Sequence, residues 1–138
     1  MDRFIHVRSA NFTVAPPEDE HVVNEMYGQA FAEYVQNILR QNNVLSDDVY
    51  PEDWGWWVDA EMGNYSGGVL CHRSIQPDSG EVTFTCTLSR ETDSYWSWKK
   101  WRKIDISSET ASLLDILEKA FKADKDISFV CRTDDMLD

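Results

Sequence analysis

The chain has 138 residues, with 25 acidic against 13 basic side chains and a formal net charge of −12. That length suits one domain with a core that needs no covalent staples, and a hydrophobic fraction of 42% excludes a purely solvated, disordered chain. The acidity repels phosphate, so it disfavours general binding to nucleic acid or to an anionic membrane, and it suits solubility first and a basic protein partner second.

The acidic excess is concentrated in residues 1–60, which hold eleven acidic side chains and only Arg3, Arg8 and Arg40 as basic ones. The three cysteines, Cys71, Cys86 and Cys131, have neither a disulfide framework's count nor a C-x-x-C spacing. Residues 1–6 lack a basic start followed by an apolar run, and no apolar stretch reaches the ~20 residues of a membrane span. These features predict a cytoplasmic, reducing setting. They also predict one domain over residues 1–138, with residues 134–138 as a disordered acidic tail.

In chain order, Phe4, Ile5, Val7, Phe12 and Val14 predict a strand over residues 3–14, ended by Pro16-Pro17. Glu18, Asp19 and Glu20 supply negative charge where a helix would begin. Val23, Tyr27, Phe31, Tyr34, Val35, Ile38 and Leu39 recur at helical spacing, which predicts a helix over 21–42 interrupted by Gly28 and stopped at Gln41-Asn42-Asn43. Residues 44–53 read as an acidic loop. Residues 54–62 alternate as a half-buried strand, with Trp56, Val58, Ala60 and Met62 on one face and Trp57, Asp59 and Glu61 on the other.

A turn over 63–68 leads to a strand over 69–75, a second turn over 76–81 and a strand over 82–89. A four-residue loop at 77–80 would pair Ile75 with Val82, Arg73 with Phe84, Cys71 with Cys86 and Val69 with Leu88. Every apolar residue except Leu70 then shares one face, so turn and pattern agree on the register. Residues 95–106 read as one further extended segment whose imperfect alternation around Lys99 to Lys103 predicts a bulge or an edge position, with Trp96, Trp98, Ile104 and Ile106 turned towards the core. A helix capped by Ser107 or Ser108 carries a stripe of Leu113, Leu114, Leu117, Ala120 and Phe121, and a last strand covers 127–131. The order β-α-β-β-β-β-α-β predicts an α+β fold: a mostly antiparallel single-layer sheet with two helices on one face, ferredoxin-like in spirit.

No pattern of catalytic, cofactor-binding or metal-ligating residues stands out. Cys71 and His72 are neighbours on a strand and point to opposite faces, so they cannot pair as nucleophile and base. Asp59 and Glu61 beside Trp57 could bind a sugar or exchange protons, although a solvated sheet face accounts for them as well. The eight residues Trp96-Ser97-Trp98-Lys99-Lys100-Trp101-Arg102-Lys103 form a basic, aromatic island in an acidic chain.

These readings predict a small non-enzymatic protein that binds another protein, in the manner of an inhibitor or an immunity-type protein. The contact residues would be Trp101, Lys99, Arg102 and Lys103, together with Trp54 and Trp57, since Trp and Arg are favoured interface anchors. Asp47, Asp48, Glu52 and Asp53, with Glu18, Asp19 and Glu20, would offer charge to a basic, nucleic-acid-handling target. The basic island could equally meet the acidic half of a second copy in a homodimer. The alternative is a small-molecule or carbohydrate site, with or without catalysis, on an open sheet face of Trp57, Asp59, Glu61, His72 and Thr85. A weaker alternative is single-stranded nucleic acid stacked on residues 95–103.

Overall fold

The computed structural model describes residues 3–9, 28–75, 82–90, 92–127 and 129–134. Strand β1 (Phe4–Ser9) is followed by helix α1 (Gln29–Gln41), then by β2 (Val49–Glu52), β3 (Gly55–Met62), β4 (Tyr65–Ile75) and β5 (Val82–Leu88). A short pair, β6 (Ser94–Ser97) and β7 (Arg102–Asp105), precedes helix α2 (Ser107–Ala123) and the last strand, β8 (Phe129–Thr133). Six strands form one antiparallel sheet in the order β2-β3-β4-β5-β1-β8, and β6-β7 form a separate two-stranded hairpin. The α+β class and the antiparallel sheet agree with the sequence pattern, and the likeness to a ferredoxin-like arrangement goes no further than class.

Both helices pack on the same side of the sheet. Helix α1 buries Phe31, Ala32, Val35, Ile38 and Leu39, and α2 buries Leu113, Leu114, Leu117 and Phe121. From the sheet come Ile5, Val7, Trp56, Val58, Val69, Cys71, Phe84, Cys86 and Leu88. Phe31 is the hinge pin of this core. Its ring stacks on Phe84 at 4.2 Å and also meets Phe121 at 5.9 Å and Tyr34 at 6.1 Å. The Tyr34 hydroxyl donates to Asp124 at 2.7 Å, and burial followed by that bond pushes its pKa up.

The β4–β5 register is the one the alternation demands: Val69 with Leu88, Cys71 with Cys86, Arg73 with Phe84 and Ile75 with Val82. The loop predicted at 77–80 lies outside the described residues. So do residues 10–27, including Pro16, Pro17, the acidic run Glu18–Glu20 and His21, and residues 135–138 of the expected tail.

Four local expectations change. Residues 49–52 are not loop but the edge strand β2, where Pro51 is tolerated because an edge needs no complete ladder. Strand β4 begins at Tyr65, because the turn needs only Gly63 and Asn64 between the pair Met62 and Tyr65. Gly63, at φ 57°, supplies the positive φ that a two-residue hairpin loop requires at its first position. Gly28 stands just before the described helix rather than within it. Helix α2 has no serine side-chain cap: the N–H of Ser107 is held at 2.9 Å by the Asp105 carboxylate, which that bond keeps below the ordinary carboxylate range.

Candidate functional site

The island at residues 96–103 folds into the tip of the β6–β7 hairpin. Ser97 pairs with Arg102 and Trp96 with Lys103, so Trp98, Lys99, Lys100 and Trp101 form a four-residue loop. Trp101 adopts φ 55°, and the N–H of Lys100 bonds the Ser97 hydroxyl at 3.2 Å.

This turn overturns the assignment of Trp96 and Trp98 to the core. In an unbroken strand, residues 96, 98, 104 and 106 would share a face. Across the hairpin, Trp96 shares its face with Lys103, and Ile104 shares its face with Tyr95. Ile104 and Ile106 are therefore buried, with Tyr95 packed against the core, while Trp96, Trp98 and Trp101 are 46%, 73% and 69% exposed.

The three indoles touch one another edge to face. Ring centroids lie 5.4 Å apart for Trp98 and Trp101, 5.8 Å for Trp96 and Trp98, and 5.9 Å for Trp96 and Trp101. Such pairs hold rings in fixed orientations without hiding them from solvent. Lys99, Lys100, Arg102 and Lys103 are all exposed, and none forms an ion pair among the described residues.

The base of the hairpin is anchored. The Tyr95 hydroxyl donates to the Asn64 carbonyl at 3.0 Å, the Arg90 guanidinium lies 4.6 Å over the Tyr95 ring, and Arg3 pairs with Asp93 at 2.9 Å. The tip is thus an aromatic, cationic surface on a fixed stem.

The other predicted contact residues lie elsewhere. Asp47, Asp48, Glu52 and Asp53 are exposed on and to either side of the edge strand β2, with Tyr50 among them. Desolvation, followed by the neighbouring carboxylates Asp59, Glu52 and Asp48, raises the Tyr50 pKa. Trp57 is not a projecting anchor. Its ring stacks on Tyr50 at 6.1 Å, lies over Gly68 so closely that a side chain there would overlap it, and donates its N–H to Asp59 at 2.7 Å.

Asp59 also accepts the backbone N–H of Asp48 at 3.0 Å, so both of its oxygens serve the fold. Glu61 accepts from the Ser66 hydroxyl at 3.4 Å. Trp57, Asp59 and Glu61 line a shallow depression of about 240 Å³ with Leu45 and Asp47, whereas His72 and Thr85 line a different and larger cavity. The predicted open-face set is therefore divided between two places.

The larger cavity lies on the sheet face opposite α1 and α2. It measures about 560 Å³ and is walled by Phe4, Trp54 and Leu70, with Thr85 and Thr87 beside them. Leu70, the residue that broke the hairpin's alternation, sits in its wall opposite Thr87. His72 is half-buried, and its Nδ1 lies 2.7 Å from the Trp54 carbonyl. Deeper in the same face, His6 is fully buried, with Nδ1 2.9 Å from the Thr85 hydroxyl and Nε2 2.8 Å from that of Thr133. The grouping of His6, Phe4 and Leu70 on this face is not visible in the sequence, because their meeting depends on β1 pairing with β5.

Cys71 and Cys86 face each other in the core as free thiols with sulfurs 3.9 Å apart, and burial pushes the Cys86 thiol up. Among the described residues, no group of three or more His, Cys, Asp or Glu could hold a metal ion, and no helix is long and apolar enough to cross a membrane. No protein-family model, curated protein or solved structure matches the chain, so a functional reading rests on the geometry alone.

Proposed function

We propose that this protein acts by binding another protein through the tip of the β6–β7 hairpin. The observation that carries the reading is the exposure of Trp96, Trp98 and Trp101 in one mutually braced cluster. Large apolar side chains left in water in a contiguous patch mark contact surfaces, and Trp is the residue most enriched among binding hot spots. Preset rotamers reduce the ordering entropy lost on contact.

The charge of the tip selects the partner. Lys99, Lys100, Arg102 and Lys103 surround the indoles, so the surface fits an apolar patch rimmed by carboxylates. This differs in sign from an inhibitor that offers acidic residues to a basic target. That action would use Asp47, Asp48, Glu52 and Asp53, which lie on and beside the edge strand β2 and not on the hairpin.

The test places a photo-crosslinking phenylalanine derivative at position 98 and, as a control, at the exposed position Lys119, in the cells that make the protein. One stoichiometric protein adduct from position 98, absent from position 119 and lost with Trp101→Ala, supports the proposal. Adducts to nucleic acid from position 98, or the same adducts from both positions, refute it. An adduct to the acidic β2 edge of a second copy would identify the partner as the protein itself.

A further inference from the structure

The cavity on the sheet face opposite α1 and α2 has the dimensions of a ligand site and is separate from the hairpin tip. Its volume of about 560 Å³ falls within the ~300–1,000 Å³ of small-molecule sites. Its apolar walls come from separate elements: Phe4 from β1, Leu70 from β4 and Trp54 from the β2–β3 turn. A solvated sheet face would carry a polar residue at position 70, as it does at Thr83, Thr85 and Thr87 on β5.

The polar groups state what the ligand must offer. A carbonyl oxygen only accepts, so the contact between His72 Nδ1 and the Trp54 carbonyl at 2.7 Å places a proton on Nδ1. In the neutral ring, Nε2 is then a lone-pair acceptor. The Thr87 hydroxyl has no hydrogen-bond partner among the described residues, and Thr85 is engaged with His6. The single cation in the lining, Arg3, is already neutralised: Nη1 holds Asp93 at 2.9 Å and Nη2 donates to the Arg90 carbonyl. A carboxylate or phosphate in this cavity would lose its water without gaining an unpaired cation, which is strongly unfavourable.

We infer that the cavity binds an uncharged, planar, apolar compound bearing a hydroxyl group, a phenol or its fused-ring equivalent. The ring lies against Phe4, Trp54 and Leu70. The hydroxyl donates to His72 Nε2 and accepts from Thr87.

Calorimetric titration with 2-naphthol tests this, with 2-naphthoate as the charged comparator of the same ring size. The expected result is saturable one-to-one binding of 2-naphthol, with 2-naphthoate at least about tenfold weaker. His72→Phe should weaken 2-naphthol by about tenfold, the size of one lost hydrogen bond. Leu70→Arg and Thr87→Trp, each filling the cavity from a different strand, should abolish binding while far-UV circular dichroism stays unchanged. Trp101→Ala should leave it intact, which separates this site from the hairpin surface. The inference is overturned if 2-naphthoate binds as tightly as 2-naphthol. It is also overturned if binding survives in whichever cavity-filling variant folds, or if the folded wild-type protein shows no saturable binding.

Discussion

Replacing Trp98 with alanine separates a binding role for the hairpin tip from a structural one. A tryptophan carries roughly 200 Å² of contact area, and at 73% exposure about 150 Å² of the Trp98 side chain is uncovered in the free protein. A partner that covers this area would gain about 3–4 kcal/mol at ~25 cal/mol per Å². Trp98→Ala should therefore weaken the complex by more than a hundredfold. The remaining buried quarter meets Trp96 and Trp101 edge to face, which limits the loss of folding stability to about 1 kcal/mol.

The two effects are read separately, by calorimetric titration against the crosslinked partner and by urea unfolding of the free variant. A large binding loss with a small shift in the urea midpoint is the expected pair. A binding change below about twofold, or a folding loss of about 3 kcal/mol that accounts for the weakened binding, would refute the reasoning. In the second case the indoles would be packing groups whose exposure is incidental.

Phe31→Ala removes the ring that stacks on Phe84 and touches Phe121 and Tyr34, and should cost about 4 kcal/mol in chemical denaturation. That is a large part of the ~5–15 kcal/mol that holds an ordinary domain together. Gly68→Ala places a methyl group into the Trp57 ring and should lower stability by about 1–3 kcal/mol, with a change in near-UV circular dichroism as Trp57 moves off β4. Asp105→Ala should lower the melting temperature at neutral pH. The depressed Asp105 carboxyl stabilises the fold above the ordinary carboxylate value and loses that effect as pH falls through its folded value, so the gap between variant and wild type should close in acid. Cys71 and Cys86 should resist iodoacetamide in the native protein and react on unfolding, because both are buried and the Cys86 thiol is held protonated.

How much of this was legible in the sequence varied with the range of the signal. The β4–β5 pairing could be read because a short loop and two alternating strands constrain the same register. The helices could be read where periodicity was long: Phe31 to Leu39 in α1 and Leu113 to Phe121 in α2. The cap at Ser107 could not, since Asp105 and the serines carry similar capping chemistry. Nor could β2, whose residues Val49-Tyr50-Pro51-Glu52 look like a loop and become a strand by pairing with β3. The candidate sites were legible as residue types and not as groupings. His72 and Thr85 were singled out beside Trp57, Asp59 and Glu61, yet the register seats them with Phe4 and Leu70 instead.

By itself the sequence determined the class: an antiparallel sheet with two amphipathic helices on one side, and a basic aromatic island in an acidic chain. Those are properties of local period and composition, which depend only on neighbours a few residues apart. Tertiary structure decided which way the tryptophans point. Alternation assigns faces only within an unbroken strand, and a four-residue turn between Ser97 and Arg102 reverses the parity beyond it. Ile104 therefore goes inward with Tyr95, and Trp96 joins Trp98 and Trp101 in the solvent. Tertiary structure also brought Phe4 beside Leu70 and Trp54, because long-range pairing of β1 with β5, and not spacing along the chain, determines what lines the face opposite α1 and α2.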